Sequence, residues 1–177
     1  MHQTIADWGG MAFQDLMDGV DALVEQKIAD PERLGIGGWS NGGFMTEWAI
    51  THTTRFKAAT AIAGHSDFFS LAGTSTGRAW LEAAFGDPYT NRAAYQDRSP
   101  ITYIRSCRTP TLLLHGQNDS GVPVGQAYEF HAGLKGIGVE TELVVYPREG
   151  HAIQERGHQE DLQRRVLEWF DRHVKGR

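Results

Sequence analysis

At 177 residues the chain fits one domain, and its 40% hydrophobic content is enough for a buried core. A net charge of −5 with scattered basic residues excludes a nucleic-acid surface. No run approaches the ~18 apolar residues of a membrane span, and the single cysteine, Cys107, rules out an internal disulfide framework or a cysteine-rich metal site.

Residues 1–10 read as loop, and their order is not the basic-then-apolar one of a secretory signal, which reads as a cytoplasmic chain. From Phe13 to Lys27 the apolar residues Phe13, Leu16, Met17, Val20, Leu23 and Val24 recur at helical spacing, predicting one buried face. Pro31 and Gly35 end that pattern, and a short apolar strand follows from Leu34 to Trp39. A second helix is expected over Asn41–Thr51 and a second strand over Ala58–Ala63. His65 to Pro100 reads as loop-rich and partly helical. Strands at Thr111–His115 and Thr141–Tyr146 flank a helix at Gln126–Leu134, and an amphipathic helix closes the chain over His158–Val174. Short, continuously apolar strands alternating with helices predict an α/β fold with a mostly parallel sheet covered on both faces. Residues 1–177 are read as a single unit with four strands.

The sequence Gly38-Trp39-Ser40-Asn41-Gly42 fits G-x-S-x-G, with a strand before it and a helix after it. A serine hydroxyl is a weak nucleophile unless it projects towards a base, clear of its own backbone. A sharp strand-to-helix turn achieves this but crowds the positions two before and two after the serine, so small residues are expected at 38 and 42. The turn also aims free helix N–H groups, that of Asn41 among them, at a developing oxyanion. The competing reading is an ordinary N-cap serine on a glycine-rich turn.

A base and an orienting acid should follow, each just after a strand. Asp119 follows "TLLLH", 79 residues beyond Ser40, and His151 follows "TELVVYP", 32 residues further on. Both loops leave the C-terminal ends of strands, where ligands bind in open α/β sheets. Asp67, after the second strand, is the competing acid. His115 reads as a packed or hydrogen-bonding residue, and His158 carries no zinc-site spacing. With no Walker loop and no G-x-G-x-x-G after a strand, neither a cofactor nor a metal is expected.

Together, "DWGGMAFQDLMDGVDALVEQ", "ADPERLGIGGWSNGG", "SPITYI" with "TPTLLLHGQNDSGVP", and "YPREGHAI" resemble the catalytic domain of the prolyl oligopeptidase family of serine peptidases. The resemblance implies an α/β-hydrolase fold, with Ser40 as nucleophile, Asp119 as acid, His151 as base and Asn41 as backbone oxyanion donor. It implies peptide substrates and a pocket for the residue before the scissile bond, to which Phe68, Phe69 and Val122 are assigned; core packing is the other reading of the two phenylalanines. Two departures stand out. Gly121 occupies a position where family members often carry a carbonyl-binding arginine or asparagine. The family's early strands, its "HGG"-type loop with a second oxyanion donor, and its propeller have no counterpart here, so the chain is read as the C-terminal part of such a domain, with strand Leu34–Trp39 as an exposed edge. The expected function is a serine peptidase; an esterase on the same fold and a non-catalytic fragment are the alternatives.

Overall fold

Four short apolar runs become four parallel strands, and the register of their pairing decides where the loops emerge. The computed structural model describes residues 7–175. In chain order these form α1 (Met11–Glu25), β1 (Gly35–Trp39), α2 (Asn41–His52), β2 (Ala58–Ile62), α3 (Phe68–Thr74), α4 (Arg78–Phe85) and α5 (Arg92–Asp97). A 3-10 helix (Pro100–Ser106) then leads to β3 (Thr111–Gly116), α6 (Gly125–Gly136), β4 (Thr141–Tyr146) and α7 (Arg156–His173). The sheet order is β1-β2-β3-β4, parallel throughout.

Parallel strands in sequential order, joined by crossovers of one hand, put every crossover on the same face. One face accordingly packs Ala59, Ala61 and Leu113 against Ile50 of α2, Ile104 of the 3-10 helix, and Phe130 and Leu134 of α6. The alternate residues Ala58, Leu112 and Leu114 meet Trp169, Val166 and Phe170 of α7 on the other face. All six residues of β3 are buried, as a central parallel strand requires. Among the described residues β1 pairs on one side only, and Trp39 at its end is 49% exposed.

Trp39 pairs with Ile62, Ile62 with Leu114, and Leu114 with Val144. β3 and β4 run two residues further, to Gly116 and Tyr146, and the turns after β1, β3 and β4 open at one edge.

The stretch read as loop-rich and partly helical resolves into α3, α4 and α5 with loops between them. The first starts where it does because the Asp67 carboxylate accepts from the N–H groups of Phe69 (2.8 Å) and Ser70 (3.1 Å), an N-cap. Helix α1 starts two residues before its periodic pattern, where the Asp7 carboxylate accepts from Met11 N–H at 2.9 Å. Asp7 also pairs with Arg98 at 2.9 Å.

Helix α2 is buried almost all round, lying between the sheet, α1 and the 3-10 helix. Within it Glu47 is 1% exposed, and its Oε2 has no hydrogen-bond partner. Burial pushes its carboxyl well above the ordinary value. A group whose folded pKa is raised keeps a proton that the unfolded chain releases, so stability falls as pH rises past about 4.5. Glu47→Met, of similar length and without the polar orphan, is expected to stabilise the fold by roughly 1–3 kcal/mol near pH 8. That gain shrinks towards pH 4.5, and chemical denaturation at the two pH values measures the difference.

Candidate active site

Ser40 joins β1 to α2 with φ 59° and ψ −116°, a sparsely populated conformation for a residue with a Cβ. Its backbone is fixed on both sides. The N–H donates to the Ile62 carbonyl at 2.8 Å, and the carbonyl accepts the first helical bond, from Phe44 N–H at 3.0 Å. Its hydroxyl makes no capping bond. This separates Ser40 from an ordinary N-cap serine, which would spend its oxygen on its own helix.

The crowding around the turn is real but not symmetric. A Cβ on Gly38 would lie 2.5 Å from the Gly42 carbonyl carbon and oxygen, whereas a Cβ on Gly42 would meet nothing within 4 Å. The second position that excludes a side chain is Gly43, whose Cβ would lie 2.6 Å from the Ile62 carbonyl oxygen and 2.9 Å from Gly64 Cα. The sequence pattern assigned this role to Gly42. In the fold, Gly42 presents its backbone to Gly38 and its open side outward, while Gly43 faces β2.

The hydroxyl faces the histidine. Ser40 Oγ lies 2.8 Å from His151 Nε2, and His151 Nδ1 lies 2.6 Å from Asp119 Oδ2. Because a carboxylate only accepts, Nδ1 carries the proton, and in the neutral ring Nε2 is left as the acceptor for the serine O–H. Asp119 Oδ1 takes the N–H groups of Gly121 (3.0 Å) and Val122 (2.8 Å). Burial pushes the Asp119 carboxyl up, but His115, the Val122 N–H and His151 outweigh it, and the net is below the ordinary value. His115, fully buried, donates Nε2–H to the Val122 carbonyl at 2.7 Å and stands 3.6 Å from Asp119 Oδ2. Asp67, the competing acid, is occupied as the α3 cap. Sequence reasoning missed Trp39: its ring centroid lies 4.7 Å from that of His151, and its indole N–H donates to the His151 carbonyl at 3.0 Å. Position 39 lies inside the G-x-S-x-G pattern, yet the pattern leaves its side chain unspecified.

The sequence profile of the prolyl oligopeptidase family matches residues 1–177. The chain belongs to this family. It is 37% identical over 174 residues to an uncharacterised peptidase of Bacillus subtilis, covering 95% of this chain and 26% of that protein. Among solved structures, the acylaminoacyl peptidase of Pyrococcus horikoshii superposes with a TM-score of 0.88 at 31% identity, covering 94% of this chain and 28% of that one. A puromycin-hydrolysing peptidase of Mycobacterium tuberculosis gives 0.88 at 32% identity, covering 96% and 26%. These similarities give the α/β-hydrolase fold, and the chain spans about a quarter of the length of these relatives.

Of the pocket residues that the family resemblance assigns, Phe68 and Val122 share one buried cluster with Phe44 and Leu71. Around His65 stand Trp8, Phe44, Phe68 and Trp80, with ring centroids 6.0–6.4 Å from its own. Burial and the nearby His151 push the His65 imidazole down to about 4, so it stays neutral; its Nδ1 has no partner. Phe69 goes elsewhere. One residue on along α3 it is turned out, with the Arg92 guanidinium 4.3 Å from its ring centre and Tyr89 at its edge. Asn41 opens α2 ahead of its first intrahelical bond, and a cleft of about 240 Å³ lined by Trp8, Asn41, Phe44 and Met45 lies beside it. A larger cleft of about 520 Å³, bounded by Trp48, Phe85, Arg98 and Tyr103, contains none of Ser40, Asp119 and His151.

Among the described residues, Glu149, Glu155 and His158 bring ligand-type atoms close enough together for a metal ion to be considered. Their atoms are already engaged: His158 Nδ1 donates to Glu149 at 2.8 Å, and Arg148 holds Glu155 through two bonds at 2.8 and 2.7 Å.

The glycine geometry gives a test within this family fold. Gly38→Ala and Gly43→Ala are each expected to lower stability by about 1–3 kcal/mol through overpacking against backbone. Gly42→Ala is expected to leave it unchanged or slightly raised. Thermal unfolding of the three variants measures the ranking.

Proposed function

We propose that this chain carries the nucleophile, base and acid of a serine peptidase, within a single α/β-hydrolase unit spanning residues 1–177. The observation that carries the reading is the unbroken relay from Ser40 Oγ through His151 to Asp119, at 2.8 and 2.6 Å, with the serine held in a strained turn at the head of α2. Resemblance to an acylaminoacyl peptidase and a puromycin-hydrolysing peptidase supports amide bonds as the substrate class.

In this reading His151 Nε2 takes the Ser40 proton as Oγ bonds to the substrate carbonyl carbon. The carbonyl oxygen gains the negative charge, and the Asn41 N–H supplies an oxyanion donor. Collapse of the intermediate breaks the carbon–nitrogen bond, and His151 gives its proton to the departing amine. Water, deprotonated by His151, then releases the acyl group and restores Ser40. Asp119 holds the tautomer and stabilises the imidazolium. Phe68 and Val122 are buried and support the cluster of Trp8, Phe44, His65 and Trp80 from within the core, so their part in any substrate pocket is to hold those rings in place.

A carboxylesterase is the second reading, favoured by Gly121, which offers no side chain to hold a peptide carbonyl. Rates on a peptide amide and on a short-chain ester with the same acyl group separate the two.

A fluorophosphonate is expected to label Ser40 in the full-length protein. Ser40→Ala and His151→Ala should each lower kcat by on the order of 10⁶-fold, and the double variant by little more. Asp119→Asn should cost about 10⁴-fold through the wrong tautomer. A folded protein with unlabelled Ser40, or additive losses in the double variant, overturns the proposal.

A further inference from the structure

His151 stands on a nine-residue segment without helix or strand, between the end of β4 at Tyr146 and the start of α7 at Arg156. A segment of that length does not hold an imidazole in place by itself. The residue closing it is Glu149, two positions before His151 and 3% exposed. One carboxylate oxygen, Oε2, accepts from Gln154 N–H at 2.8 Å. The other, Oε1, accepts from Glu155 N–H at 2.8 Å and from His158 Nδ1 at 2.8 Å. A side chain on the incoming arm thus grips the outgoing arm and the first turn of α7, leaving His151 at the tip.

The backbone of the same residue reaches the other loop of the site. Its carbonyl accepts from Asn118 N–H at 2.7 Å, next to Asp119 in sequence. Gly150 O lies so close over Gly116 that a Cβ there would overlap it. The Gln154 N–H bond, followed by those of His158 and Glu155, holds the Glu149 carboxyl below its ordinary value despite some desolvation. Charge-assisted bonds to N–H groups are the strong kind.

We infer that Glu149 is a positioning residue: its carboxylate, held by Gln154 N–H, Glu155 N–H and His158, closes the loop that presents His151 to Ser40 and docks it on the loop carrying Asp119. His158, left without a role by the sequence motifs, is the side-chain donor of this clamp. Tyr146, with its ring centre 5.3 Å from that of His158, packs against the donor. The inference rests on His151 acting as the base proposed above. A displacement of about 1 Å at such a group costs on the order of 10²-fold in rate.

The test uses Glu149→Gln in the full-length protein, which keeps the shape but turns one acceptor into a donor facing N–H groups. Glu160→Gln, on the exposed side of α7, is the control. Glu149→Gln is expected to lower kcat on a peptide amide, and the rate of fluorophosphonate labelling, by about 10²-fold. KM stays within about twofold, since ground-state binding is not touched. The far-downfield proton signal of the His151–Asp119 bond broadens or vanishes. His158→Ala removes one donor of three and gives a smaller fall, and it replaces Glu149→Gln as the decisive variant if circular dichroism shows the latter unfolded. Wild-type kcat with an undisturbed downfield signal in a folded Glu149→Gln protein overturns the inference, as does a fall in Tm with kcat and signal intact. If the wild-type protein is itself unreactive, the functional reading fails; loss of the downfield signal in Glu149→Gln then still supports the positioning role, and its persistence refutes it.

Discussion

The bond between His151 Nδ1 and Asp119 Oδ2, at 2.6 Å, decides which way the imidazole can work. Once Nδ1–H is committed to a carboxylate, the other ring nitrogen is the only one left to face Ser40. Everything around the site serves that commitment. Burial pushes the Asp119 carboxyl up, and His115, the Val122 N–H and His151 together hold it below its ordinary value. The three side chains come from turns far apart in the chain, and they meet because β1, β3 and β4 run parallel to the same edge of the sheet. An antiparallel neighbour would deliver its turn to the opposite edge. The β-helix-β alternation therefore assembles the candidate site, since it places successive turns on one side.

Much of this arrangement could be read from the residues. The four strands were legible because continuous apolar runs between turn signals have few other interpretations in a chain this short. Ser40, Asp119 and His151 stood out because each follows such a run. Three features were not legible. Helices α3 to α5 are too short to show a clear period, and of the three only α3 has a side-chain cap, Asp67. The division of labour between Gly42 and Gly43 depends on which glycine faces β2, which only the helix phase reveals. Phe68 and Phe69 are chemically equal neighbours, and the turn of α3 alone sends one into the aromatic cluster and the other under Arg92.

Among the described residues four buried side-chain atoms have no hydrogen-bond partner, and two of them adjoin the end of β2. Glu47 and His65 each leave an atom unpartnered, and Gly64, next to His65 in the chain, has the Glu47 carboxylate pressed against it. Cores rarely keep such groups, because each unpaired atom carries a desolvation cost of about 1–3 kcal/mol. Both flank the end of β2, the strand lying between those that lead to Ser40 and Asp119. The strained Ser40 backbone lies in the same region, while Glu129 of α6 and His173 of α7 hold the other two unpartnered buried atoms.

Trp39 gives the molecule an optical property. Its indole lies against the His151 ring and is half open to solvent, so it senses the charge on that imidazole directly. A protonated imidazole in contact with an excited indole quenches its emission, whereas the neutral ring does so weakly. The residue beside Ser40 is therefore a built-in reporter of its histidine neighbour. A change in Trp39 emission would report a change in the contact with His151 without substrate, inhibitor or label. With four other tryptophans in the chain, that signal is isolated by the difference between the protein and its Trp39→Phe variant.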